Sequence, residues 1–192
     1  MRAPLSDVLR SLGACSESLA WADGYGSAWS TALTACPERS WLTWLYGRLL
    51  ARGHVRREPL VIAACLCARE VLHLVPAGEE RPLRAIETAE AWARGEATTD
   101  AVREARRVAY AAYAYAAYAY AYAAAYAAAD AAYAAYAAAA AVAADAYAAY
   151  AAYAAYADAD AALTLLRREL GPHLLAGLDA YAATLATTGG GE

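Results

Sequence analysis

The stretch YAAYAYAAYAYAYAAAYAAADAAYAAYAAAAAVAADAYAAYAAYAAY, Tyr110–Tyr156, decides the fold class. In its 47 residues, thirteen Tyr and thirty-one Ala are interrupted only by Asp130, Val142 and Asp145. Alanine has the highest helix propensity, and nothing here alternates as a half-buried strand would. The segment therefore predicts helix throughout. The chain holds sixteen Tyr and no Phe, although the two have equally AT-rich codons, so the hydroxyl is selected or the run is an expanded Ala-Tyr coding repeat.

Working outward, the 75 residues between Gly95 and Gly171 contain neither Gly nor Pro. One straight helix of that length would measure about 110 Å. A compact domain of this size is only about 40 Å across. The run must fold back or protrude. Within its Ala/Tyr part, Asp is the only residue type that favours a helix start, which places reversals near 124–132 and 138–146. At 100° per residue, Tyr115, Tyr118, Tyr122, Tyr126, Tyr133 and Tyr136 share one arc. Tyr110, Tyr113 and Tyr120 lie opposite, and Tyr147, Tyr150, Tyr153 and Tyr156 step by three and drift around the axis. The reading is Ala-to-Ala helix contacts, with Tyr rings filling gaps or facing outward.

The remaining segments are also helical. Residues 4–22 read as one helix, with Ser6 as cap and Leu5, Val8, Leu9 and Leu12 as its apolar stripe. A short helix carries Trp29. Pro37 suits the first position of a helix bearing Trp41, Trp44, Leu45 and Arg48, which ends at Gly53-His54. Pro59 opens a helix with Val61, Ile62, Leu66, Val71 and Leu74 as a buried stripe. Pro82 opens another, ending at Gly95. Thr98, Thr99 or Asp100 caps the long helical region, and Gly171-Pro172 starts a last helix with Leu174, Leu175, Leu178, Tyr181 and Leu185. These elements amount to one all-α domain over 1–186, a helical bundle with long Ala/Tyr-rich helices. A Trp-containing part spans 4–95, Ala/Tyr-rich helices span 98–168, and 187–192 form a flexible tail.

Net charge is −4 and uneven. Residues 1–107 carry 14 Arg against 13 acids, whereas 108–192 carry 2 Arg against 7. Between Arg107 and Arg167 there is no cation, only Asp130, Asp145, Asp158 and Asp160. Phosphate binding needs Lys or Arg, so a nucleic-acid surface is not expected there, while a basic protein partner would be steered to it. Val108–Ala129 is uncharged but nearly devoid of Leu, Ile and Val, so no membrane span is expected. The Leu12-Gly13-Ala14-Cys15 box follows charged residues, not a continuous apolar run, and does not read as a signal.

Catalytic signals are missing from the sequence. Cys15, Cys36, Cys65 and Cys67 lack metal-ligand spacing and read as small buried hydrophobes, which suits a reducing cytoplasm. Cys65 and Cys67, two apart, point different ways on a helix. Asp158 and Asp160 diverge in the same way. Glu87 and Glu90 lack a His three residues later, so no dinuclear metal bundle is expected. His54, His73 and His173 are scattered, and His73 reads as a core histidine. No phosphate loop is present. The expectation is a binding protein with no cofactor and no enzyme activity. The Tyr array reads as packing or repeat drift, as a protein-binding surface, or as a ligand or electron path.

Several segments together resemble a known family. They are Ser18-Leu19-Ala20-Trp21, Ala28-Trp29, Ser40-Trp41-Leu42-Thr43-Trp44-Leu45, Ala68-Arg69-Glu70-Val71-Leu72, Arg81-Pro82-Leu83-Arg84-Ala85-Ile86-Glu87, and Ala91-Trp92-Ala93-Arg94-Gly95. With the Ala-rich helices they resemble the immunity proteins of bacterial toxin systems, the immunity-five-like group, from Leu9 to Ala162. The resemblance implies an all-helical fold that neutralises a co-encoded toxin. Members often carry His and Gly in the Ala-rich part, and this chain carries neither between Gly95 and Gly171. The expected partner surface is Tyr115, Tyr118, Tyr122, Tyr126, Asp130, Tyr133, Tyr136, Asp145, Tyr147, Tyr150, Tyr153, Tyr156 and Asp158. The partner is a cognate protein toxin, basic and nuclease-like, or a second copy forming a homo-oligomer.

Overall fold

Leu5, Val8, Leu9 and Leu12 bury their side chains at 1–4% exposure, as their spacing predicts. The helix they define is shorter than residues 4–22. It runs Leu5–Ser11 (α1), and a second helix, α2, runs Ser16–Asp23. Gly13 separates them at φ +85°, a conformation that an L side chain resists. Ser6 is not the cap; it is buried inside α1, whose N-cap is Pro4. The start of α1 is tied down instead by Leu5 N–H donating to the Gly26 carbonyl at 2.8 Å, and by the Trp29 indole N–H donating to Ala3 at 3.0 Å.

The computed structural model describes residues 2–70, 72–118 and 159–188. Six further α-helices follow: α3 Trp29–Ala35, α4 Arg39–Ala51, α5 Glu58–Glu70, α6 Arg81–Ala93, α7 Thr99–Tyr118 and α8 Ala159–Thr188. A 3₁₀ turn covers Leu72–Leu74. Among the described residues there is no strand, and the protein is an all-α helical bundle. Pro37 lies two residues ahead of α4, outside it.

Helix α8 packs on α3, α4 and α5; α5 packs on α6; and α6 packs on α7. α5 is therefore interior, and the one-sided stripe expected for it is wrong. Ile62 and Leu66 are only half-buried, whereas its small residues are buried on two faces. Leu60, Ala63 and Cys67 enter a large core of Leu, Trp and Tyr from α1–α4 and α8. Val61, Ala64, Cys65 and Ala68 enter a second core with Ala85, Ile86, Ala89, Val102 and Ala109. Cys65 and Cys67 thus point into different cores, as their spacing predicts. The second core is built largely of alanine, which lets helix axes approach closely. Arg69 of α5 closes this layer with a bidentate pair to Glu90 of α6, both contacts 2.7 Å.

Gly171-Pro172 does not start a helix; α8 runs through it without a break in its 30 residues. Pro172 lacks the N–H that would bond the Arg168 carbonyl, and an internal proline costs about 3 kcal/mol. Against this, Leu166, Leu170, Leu174 and Leu178 form an i, i+4 row at 0–1% exposure. Each contributes about 1.5–3 kcal/mol by burial, so the row outweighs the break. Pro172 itself is exposed, on the side away from that row.

Candidate functional site

Helix α7 carries the chain into the Ala/Tyr run. The Thr98 hydroxyl caps it, accepting the Ala101 N–H at 3.2 Å. Val102 and Ala109 are fully buried against α6, with Ala105 partly so. On the outer side Arg103 pairs with Asp100 and Arg107 with Glu104, both at 2.6 Å. At the first step into the run, Ala109 is 0% exposed and Tyr110 is 43% exposed. The helical phase that buries alanine thus turns this tyrosine outward. Tyr115 and Tyr118 belong to α7. Their backbone register lies about 160–220° around the axis from Val102. Tyr122, Tyr126, Asp130, Tyr133, Tyr136, Asp145, Tyr147, Tyr150, Tyr153, Tyr156 and Asp158 lie outside the described residues, as do both expected reversals.

The tyrosines elsewhere behave differently. Tyr46 is fully buried and its hydroxyl donates to the Arg56 carbonyl at 2.8 Å. Burial pushes its phenol well above the ordinary range. Tyr181 is buried with its hydroxyl 3.2 Å from Ser11 Oγ, His54 edge-on at 5.4 Å and the Arg52 guanidinium 5.7 Å over its ring. In both, the hydroxyl that Phe would lack has a partner.

His73 is not a core residue. It is exposed on the 3₁₀ turn with Nδ1 2.8 Å from the Glu70 carbonyl. His173 is also exposed, so neither His meets Asp and Tyr in a buried pocket. Among the described residues no group of three His, Cys, Asp or Glu is placed to hold a metal. Cys36, Cys65 and Cys67 are buried; Cys15 is exposed at the N-cap of α2, against expectation. The Ser18 hydroxyl, 3.4 Å from Sγ, and the Ser18 N–H hold the Cys15 thiol below its ordinary value. Burial pushes Cys65 up to about 12.

A groove that the sequence does not announce lies elsewhere on the bundle. Helices α3 and α8 flank this space of about 580 Å³, lined by Ser30, Leu33, Thr34, Thr164, Arg167, Arg168, Gly171, Pro172 and Leu175. The Arg167 guanidinium bridges the two helices, donating from Nε and Nη2 to the Cys36 carbonyl at 3.1 and 2.6 Å. The available signal was the adjacent Arg pair, the first cations after a long stretch without one. A second cavity, of about 20 Å³ under Trp21, Trp41 and Trp44, is apolar and has room for no more than a water.

The chain matches no family model, no curated protein and no solved structure. Among the described residues no helix is long and apolar enough to cross a membrane.

Proposed function

We propose that the chain is a helical binding protein that neutralises a cognate toxin by covering its functional surface, and that it acts by binding rather than catalysis. The observation that carries this reading is the contrast of Ala109 and Tyr110 at the entry to the Ala/Tyr run. An alanine-inward, tyrosine-outward phase presents amphipathic rings of low conformational entropy, the side chains favoured as interface anchors. Charge supports the same reading. The arginines of residues 1–107 are largely paired with neighbouring carboxylates, as in Arg84–Glu80, Arg94–Glu96 and Arg107–Glu104. The C-terminal acids Asp130, Asp145 and Asp158 have no cation near them in sequence. The resulting acidic field suits a basic, nuclease-like toxin through steering. The resemblance centred on Arg81–Gly95 points to the same role.

The test is co-purification with the product of the adjacent gene, followed by size-exclusion chromatography with light scattering. A one-to-one complex is expected, weakened at least tenfold by alanine at Tyr115 and Tyr118 together. A neighbouring toxin that ignores the protein overturns the reading. Ala111 of α7 faces solvent next to Tyr110, which favours self-association as a second reading. A homo-oligomer without a toxin complex would establish that reading, and a strict monomer at high concentration would remove it.

A further inference from the structure

We propose that the groove between α3 and α8 binds an amphipathic anion, its carboxylate or phosphate head on Arg167 and Arg168 and its apolar portion on Leu33, Pro172 and Leu175. The groove's volume, about 580 Å³, lies within the range of small-molecule sites, about 300–1,000 Å³. Its lining combines apolar surface with a few convergent polar groups, as such sites do. Among the described residues, two guanidinium groups line it and no carboxylate does. Arg167 is fixed in place by its two bonds to the Cys36 carbonyl, which engage Nε and Nη2 and leave Nη1 as a further donor edge. An arginine already held in position loses little freedom on binding. Arg168 engages Glu169 through Nε alone, at 2.7 Å, so both its terminal nitrogens remain available.

The polar groups around the two arginines complete the set. Thr34 donates to the Ser30 carbonyl at 3.0 Å, which leaves its oxygen as an acceptor. Ser30 and Thr164 add hydroxyls at opposite walls. The exposed Pro172 ring adds an apolar contact to the groove wall. The site belongs to α3 and α8 and does not depend on the partner-binding face of α7.

Isothermal titration of the full chain with decanoate, decanol and inorganic phosphate tests the proposal. One saturable decanoate site per chain is expected, with decanol and phosphate each binding at least tenfold more weakly. Arg168→Gln should weaken decanoate about tenfold or more, the effect of losing a charge-assisted bond. Arg167→Gln also removes the bridge to Cys36 and could unfold the protein, so Thr164→Trp is the second variant. It fills the groove from an exposed helical position and leaves both arginines in place. It should abolish decanoate binding with an unchanged circular-dichroism spectrum. Absent or non-saturable decanoate binding overturns the proposal, as does equal binding of decanol or phosphate. So does decanoate affinity that survives both Arg168→Gln and Thr164→Trp.

Discussion

Replacing Gly177 with alanine tests how closely α8 is seated on the α4–α5 loop. A Cβ at this position would lie 2.5 Å from Val55 Cγ1, 3.2 Å from Leu49 Cδ1 and 3.3 Å from the His54 carbonyl. Real Cβ atoms do not approach a methyl at 2.5 Å, and Val55 cannot swing clear because β-branched residues are stiff at χ1. Two effects oppose each other. Ala gains about 1 kcal/mol over Gly in a helix interior. Overpacking a filled site costs about 1–3 kcal/mol. The net expectation is zero to about 2 kcal/mol of destabilisation, up to roughly 8 °C in Tm at about 2–4 °C per kcal/mol for a chain of this length. The sign alone does not discriminate, so the assay is a cycle of urea denaturations on Gly177→Ala, Val55→Ala and the double variant. With Val55 truncated, the Gly177→Ala change should become stabilising, with a coupling of about 1–3 kcal/mol. A Gly177→Ala protein that gains the full helix-propensity increment, or a coupling below about 0.5 kcal/mol, would refute the packing argument.

Three other outcomes follow. Cys15, exposed and held below its ordinary value by Ser18, should give one fast equivalent with a disulfide reagent near neutral pH, and Cys15→Ser should abolish it; Cys65, pushed to about 12, should stay silent until unfolding. The Glu79 carboxyl is held below its ordinary 4.5 by the Arg81 guanidinium, so its stabilisation is complete above that pH and is lost as pH falls through the depressed value. Glu79→Gln should flatten the loss of urea resistance below pH 4.5 by no more than about 1 kcal/mol, since both side chains are partly exposed; an unchanged slope counts against this. Pro172→Ala should stabilise the protein by about 1–3 kcal/mol and so raise Tm, because it restores the bond to the Arg168 carbonyl at an exposed position; a lower Tm would mean that the ring is packed.

The sequence discloses helix ends where glycine must take a positive φ. Gly53 and Gly95 both do so, at 75° and 79°, and both were legible as stops. Gly13 was not, because it sits inside an apolar repeat that continues past it in sequence but not in space. Gly171-Pro172 misled in the opposite sense. Local propensity says break, yet the leucine row on the far side of α8 decides, and that row is a tertiary fact. The two-faced burial of α5 was hidden because its stripe was drawn from Val, Ile and Leu alone, whereas Ala63 and Cys67 enter one core and Ala64, Cys65 and Ala68 the other. The Ala/Tyr run discloses its helicity but not its path, since uniform propensity carries no punctuation. The groove rests on Arg167 and Arg168 meeting Ser30 and Thr34 from a distant part of the chain, a pairing that no local pattern encodes.

The alanine-built core between α5, α6 and α7 bears on how the molecule breathes. Apolar stabilisation scales with area, and Ala85, Ala89 and Ala109 remove far less of it from water than the leucines and Trp29 beneath α8. The α6–α7 layer is therefore the low-energy opening unit of the protein, and its amides should exchange with deuterium ahead of those around Leu170 and Leu174. A binding face carried on that layer can adjust its angle to a partner at little energetic cost, while the leucine core holds the remainder of the fold fixed.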